Sequence, residues 1–197
     1  MNLSRRRCIS NGAIAIAAAL SGCRSPPAHY YRLLSSPGPV LESPPIRVGV
    51  RSISIPDDLD QNGIAYGGIG NQFQVYGNDL WAGRLANILQ DVMVQNLAQR
   101  LPQATVIGSG GSIDLPFDVI VEINVLRFDP DGTGDVVLSA QISVKSELGH
   151  GFQATRSSVE KARVEQNTAP DFVAAMNRLW AETADQIAAM IVEADNR

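Results

Sequence analysis

Histidine and cysteine are scarce in this chain, with two of each among 197 residues. The histidines, His29 and His150, have no cysteine or carboxylate cluster at the spacing of a zinc site, so no metal is expected. No serine occupies a G-x-S-x-G elbow. The glycines of Gly108-Ser109-Gly110-Gly111-Ser112 are out of register, and no strand-to-helix turn surrounds them. Gly67-Gly68-Ile69-Gly70 lacks the βαβ setting of a dinucleotide loop. With no nucleophile–base pair and no cofactor motif, neither an enzyme nor a cofactor is expected. Basic residues are outnumbered, 16 against 20 acidic. An acidic chain does not hold nucleic-acid phosphates or anionic lipid headgroups by bulk charge. No apolar run approaches the roughly 20 residues needed to span a bilayer.

What the chain does have begins at its amino end. Arg5, Arg6 and Arg7 form a basic segment, and every residue from Ala13 to Leu20 is Ala, Ile or Leu. Ser21 and Gly22 follow, completing the three-part order of a secretory signal. An ordinary signal would end in an A-x-A-like site. Leu20-Ser21-Gly22-Cys23 instead resembles the lipobox of bacterial lipoproteins at all four positions. The resemblance implies cleavage between Gly22 and Cys23, a diacylglycerol on the Cys23 thiol and a further acyl chain, palmitate in kind, on its amine. Several chains anchor stably where one anchors marginally, at about 0.8 kcal/mol per buried methylene. Cys8 leaves with the signal, so no intramolecular disulfide is expected. Removing the three arginines leaves 13 basic against 20 acidic residues.

Three segments are expected: the signal peptide over 1–22, the lipidated cysteine and a Pro-rich tether over 23–45, and a folded periplasmic domain over 46–197. The tether holds Pro26, Pro27, Pro37, Pro39, Pro44 and Pro45, interrupted by a short strand at His29 to Leu34. In the domain, Ile46 to Ile55 alternates as a strand ending at Pro56. Ile64 to Tyr66 and Phe73 to Tyr76 read as a hairpin. A helix capped by Asn78 or Asp79 is expected to run to about Leu101, its apolar stripe formed by Trp81, Leu85, Ile88, Leu89, Val92, Met93, Leu97 and Leu101. Thr105 to Gly108 is a short strand. Phe117 to Phe128, Val136 to Val144 and Phe152 to Gln166 are longer ones, the last polar and solvent-facing. Thr168 and Asp171 form a capping box for a final helix with Pro170 in its first turn. Trp81 and Trp180 both fall on apolar helix faces, so core packing is expected of them.

The expected architecture is α+β: a single domain with a mostly antiparallel sheet packed against two amphipathic helices. Asp129-Pro130-Asp131-Gly132-Thr133-Gly134-Asp135 carries oxygen donors, but strands flank it and no Glu stands at the twelfth position of a calcium loop. A hairpin turn explains the same residues.

Four features in order resemble a known family. After the lipobox come Tyr30-Tyr31-Arg32-Leu33, then Ile55, Pro56, Leu59, Asp60 and Ile64, then Trp81, Ala82 and Leu85 at the expected helix start. These are similar to the motifs of the ABC-type transport auxiliary lipoproteins of the PqiC/YmbA type. The resemblance implies a non-catalytic lipoprotein on the periplasmic face of the outer membrane. Its implied partners are an MCE-domain protein and ABC transporter subunits that move lipids across the envelope, and it implies assembly into a homo-oligomeric ring. Arg24 follows the cysteine, where Asp would resemble an inner-membrane retention signal. The competing expectation is a solute-binding lipoprotein of an ABC importer, which would show two lobes and a polar cleft.

Overall fold

Long strands in this chain declare themselves by alternation, and the computed structural model, which describes residues 26–67, 73–113, 115–147 and 151–195, places them as a sheet. The expected signal segment, Cys23, His150 and residues 68–72 lie outside the described residues. In chain order the elements are β1 His29–Tyr31, β2 Arg47–Val50, β3 Gly63–Gly67, β4 Phe73–Trp81, α1 Leu85–Arg100, β5 Thr105–Gly108, β6 Val119–Pro130, β7 Asp135–Ser146, β8 Gln153–Arg163 and α2 Ala169–Asp195. The result is a single α+β domain, as the sequence pattern predicts.

Five strands form the main sheet in the order β5-β2-β6-β7-β8. Strands β6, β7 and β8 are antiparallel neighbours, in line with expectation. The other side of the sheet differs: β2 pairs parallel with both β5 and β6. Parallel pairing needs crossover connections. One crossover runs through α1, and the other is the loop from Ser109 to Asp118. Along β6, Val119, Val121, Ile123 and Val125 face the core; a bulge between Val125 and Arg127 then shifts the phase, exposing Leu126 and burying Phe128. One face of the sheet packs on α1 and α2 through Val48, Val50, Leu89, Met93, Leu138, Ile142, Trp180 and Ile187, all essentially without solvent contact. The polar strand β8 forms an edge of this sheet, with Val159 exposed upon it.

A second, three-stranded sheet has the order β1-β4-β3. It corrects the expected start of the first helix. Residues 79–81 are not helical; they continue β4 and pair with β1, Tyr31 opposite Trp81. Neither Asn78 nor Asp79 is a cap. The helix begins at Leu85, and the Arg84 side chain makes no capping bond. Trp81 is buried as expected, but from a strand end. The spacing from Trp81 to Leu85 mimics a helical turn, and backbone pairing with β1 overrides it. The second helix starts as the sequence predicts: Thr168 Oγ1 bonds the Asp171 carboxylate, and Phe172 N donates to Thr168 O at 3.1 Å.

The Pro-rich stretch also differs from a free tether. From Leu33 to Ile46 it lies along both helices as a strap. Leu34 N donates to Asn177 Oδ1 of α2 at 2.9 Å, and Ser36 N to Asn96 Oδ1 of α1 at 2.8 Å. Leu41 N reaches Arg100 O at 2.7 Å. Leu33, Ser43 and Ile46 of the strap are themselves buried. Prolines remove donors, and here the intervening residues supply the backbone bonds.

Candidate functional site

Motif residues far apart in the sequence meet at one place, where the strap leaves β1. Ala82 N donates to Tyr31 O at 2.7 Å, and Trp81 N to Asn62 O at 2.7 Å. The first bond ties the β1 segment to the chain entering α1; the second ties the turn after Pro56 to the same strand end. Asp60 of that turn bonds Arg84 Nη2 at 2.6 Å, which holds the turn against the helix start. Leu33, Leu59, Ile64, Trp81 and Leu85 are all buried and belong to one hydrophobic core. The three motif segments therefore build a single junction at the amino end of the described residues. Tyr31, at the strand end, has its hydroxyl pKa raised, by burial first and then by its hydrogen bond to the Asp79 carboxylate. A neutral phenol donates to that carboxylate, and His29 Nδ1 lies 3.1 Å from the same group.

Below the junction, Arg100 holds the strap to both helices. Its side chain is fully buried. Nε bonds the Asp185 carboxylate; Nη1 donates to Ser36 O at 3.1 Å and Asn96 O at 3.0 Å; Nη2 donates to Ala181 O at 3.1 Å. Gly38 lies directly on the guanidinium, where a Cβ would come within 2.3 Å of Nη2. Any larger residue at 38 would displace strap or arginine. Sequence reading had no reason to single out Arg100. A basic residue in a helix's last turn ordinarily faces solvent and the helix dipole.

The Asp129–Asp135 segment is the tip of the β6–β7 hairpin. Asp131 Oδ1 accepts from Thr133 N at 3.0 Å, Thr133 Oγ1 at 2.6 Å and Asp135 N at 3.1 Å. Asp129 is engaged by Arg127 Nε at 2.7 Å. Gly134, at φ +94, supplies the backbone angle that closes the turn. Burial pushes the Asp131 carboxyl pKa up, but the bonds from Thr133 and Asp135, with Lys161 nearby, outweigh it and hold the value at about 2. A depressed acid stabilises the fold above its unfolded pKa of about 3.9, and that stabilisation is lost as pH falls through the folded value. Asp131→Asn keeps the acceptor and removes the charge. It is expected to lower stability at pH 7 by about 1–2 kcal/mol. The gap between variant and parent should close between pH 4 and pH 2, as read from urea midpoints across that range.

Cys23 and the Gly22–Cys23 bond lie outside the described residues. Among the described residues, no group of His, Cys, Asp and Glu is arranged to hold a metal ion. No helix there is long and apolar enough to cross a membrane.

The fold and junction thus define a class: one α+β domain of mixed sheet, strapped at its amino end, whose sequence motifs serve an architectural site. The family model for the ABC-type transport auxiliary lipoprotein component matches residues 31–188. The chain belongs to that family. Two crystal structures share the fold. One, described as an uncharacterized protein, has a TM-score of 0.71 at 24% identity, covering 84% of this chain and 99% of its own. The other, protein XCC0632 from Xanthomonas campestris of family DUF330, has a TM-score of 0.67 at 16% identity, covering 86% and 97%. No curated protein matches the chain. The matched region opens at Tyr31, where the junction begins.

Proposed function

We propose that this chain is a lipid-anchored, non-catalytic subunit of an MCE/ABC-type lipid transport system, held on the periplasmic face of the outer membrane. The family match over residues 31–188 carries this reading. The lipobox-like Leu20-Ser21-Gly22-Cys23 and the absence of Asp at position 24 support the membrane assignment, with lipidation of Cys23 and cleavage after Gly22 as part of the proposal. Docking of an MCE-domain protein and assembly into a ring are part of the same proposal. A solute-binding lipoprotein would call for two lobes and a cleft, whereas this fold is one α+β domain.

The docked strap sharpens the picture. With β1 beginning at His29, only residues 24–28 separate Cys23 from the folded body. Such a link spans at most about 20 Å when extended. The anchor-side junction would then sit close to the bilayer, and a long reach across the periplasm would need the strap to undock.

The test is in-cell crosslinking of the full chain followed by purification, comparing wild type with Cys23→Ser. The wild type should fractionate with the outer membrane and capture an MCE-domain protein. Cys23→Ser should stay unprocessed by the lipoprotein peptidase and leave the outer-membrane fraction. Normal fractionation of Cys23→Ser would sink the anchor. Repeated failure of the wild type to capture an MCE protein would sink the transport role.

A further inference from the structure

The segment that crosses from β5 to β6 is fixed at both ends and lays Phe117 on the outer sheet face. At its start, Gln90 Nε2 donates to Val50 O at 2.9 Å and to Ser109 O at 3.2 Å. At its end, Asp118 accepts from Arg47 N at 2.8 Å, Nε at 3.0 Å and Nη2 at 2.7 Å. Between these clamps, the Phe117 ring covers Gly49, where a Cβ would come within 2.6 Å of it. The same loop exposes Ile113 by 58% and Leu115 by 40%.

Beside Phe117 opens a cavity of about 440 Å³, lined by Gly49, Arg51, Ser52, Ser109, Phe117 and Ile120. Its chemistry is divided. Phe117 and Ile120 make an apolar wall. Among the described residues Arg51 is the one charged group in the lining, and Ser52 and Ser109 line the cavity with it. Arg51 and Ser52 also line a second groove of about 300 Å³ along β6 and β7, where Asn124 and Gln141 face out. Arg51 is paired with Glu122 at 3.2 Å, but both side chains are about half exposed, at 57% and 47%. A pair this wet is held weakly and can yield to an incoming anion.

We propose that this cavity binds an anionic single-chain amphiphile, a long-chain fatty carboxylate. Its aliphatic chain lies along Phe117 and Ile120, and its carboxylate meets Arg51 with Ser52 and Ser109. A guanidinium beside an apolar wall matches a charged head followed by a hydrocarbon chain, and its fork geometry suits a carboxylate. The site deepens the transport reading above by naming a ligand class. It is measured without any transporter, so failure of MCE capture and failure of binding are separate results.

The full chain, in non-ionic micelles, is exposed to a diazirine-bearing palmitic acid and photolysed, and labelled peptides are mapped by mass spectrometry. Label is expected on the segment from Ile113 to Ile120. A diazirine-bearing hexadecanol, equal in chain and lacking the charge, should label it about tenfold less, and Arg51→Gln should lower palmitate labelling about tenfold, the loss expected for one charge-assisted bond. Arg51 is exposed, and circular dichroism would confirm that the variant folds. Equal labelling by acid and alcohol, unchanged labelling in Arg51→Gln, or label spread evenly over the surface would each overturn the proposal.

Discussion

Arg100→Met is expected to destabilise the domain by about 3–5 kcal/mol, the range for breaking a buried, hydrogen-bonded charge pair. Methionine fills much of the same volume, so a cavity is a small part of the effect. The larger part is polar. Three carbonyls, of Ser36, Asn96 and Ala181, lose their partner in a place water does not reach easily. Each orphaned acceptor is worth about 1–3 kcal/mol in general, but Asn96 O and Ala181 O lie within helices and keep the N–H donor four residues on. Asp185 is about a third exposed and can turn to solvent, which moderates the loss. For a domain of this size the corresponding fall in Tm is roughly 10 °C. Hydrogen exchange sharpens the test. The amides of Leu34, Ser36 and Leu41, which tie the strap to the helices, should exchange faster in the variant than those of β6 and β7. A shift below about 2 °C, with the strap amides unchanged, would mean that the arginine is not what fastens the strap.

Arg100 also shows where sequence reading stops. A basic residue before Leu101-Pro102 has an ordinary local explanation at a helix end. Its burial depends on Ser36, Ala181 and Asp185, contributed from distant parts of the chain, and no local period records that. The start of α1 is similar. Trp81, Leu85, Ile88 and Leu89 are spaced as one helical face, and Asp79 precedes them as a cap would. Tertiary pairing of Tyr31 with Trp81 takes the first of these into a strand. By contrast, β6, β7 and the start of α2 were legible because their signals are local: alternation, a hairpin turn, and a Thr–Asp box with proline. Parallel insertion of β2 between β5 and β6 was not legible, since a four-residue strand carries too little pattern to choose its neighbours.

The candidate site divides in the same way. Tyr31, Leu59, Trp81 and Leu85 could be quoted as family motifs from the sequence, yet their meeting at one junction could not. Their convergence gives the motifs a physical reason. The residues quoted as family motifs are largely those that join β1 and the turn after Pro56 to the start of α1, so they fix how the amino-terminal segment is held on the body. The Arg51 cavity carried no sequence signal. An arginine and two serines at positions 51, 52 and 109 have no characteristic spacing; the β5–β2–β6 arrangement and the crossing loop bring them together.

Trp180 is where the largest volume effect is expected. The indole is fully buried, its Nε1 donates to Leu89 O at 3.0 Å, and its rings stand 5.9 Å from those of Phe128. One side chain therefore joins α2 to α1 and to β6. Trp180→Ala removes that contact and leaves a cavity among rigid neighbours, with an expected loss of about 4 kcal/mol. Trp180→Phe keeps an aromatic ring against Phe128 and removes only the indole bond and part of the volume, so about 1–2 kcal/mol is expected. The unequal pair follows from the hydrogen-bond inventory. Leu89 O lies in the interior of α1 and retains its helical partner four residues on, so deleting the indole N–H strands no buried acceptor. Urea denaturation of the two variants separates the contributions. A loss from Trp180→Phe as large as that from Trp180→Ala would place the energy in the bond to Leu89, and the packing account of the three-element contact would fall.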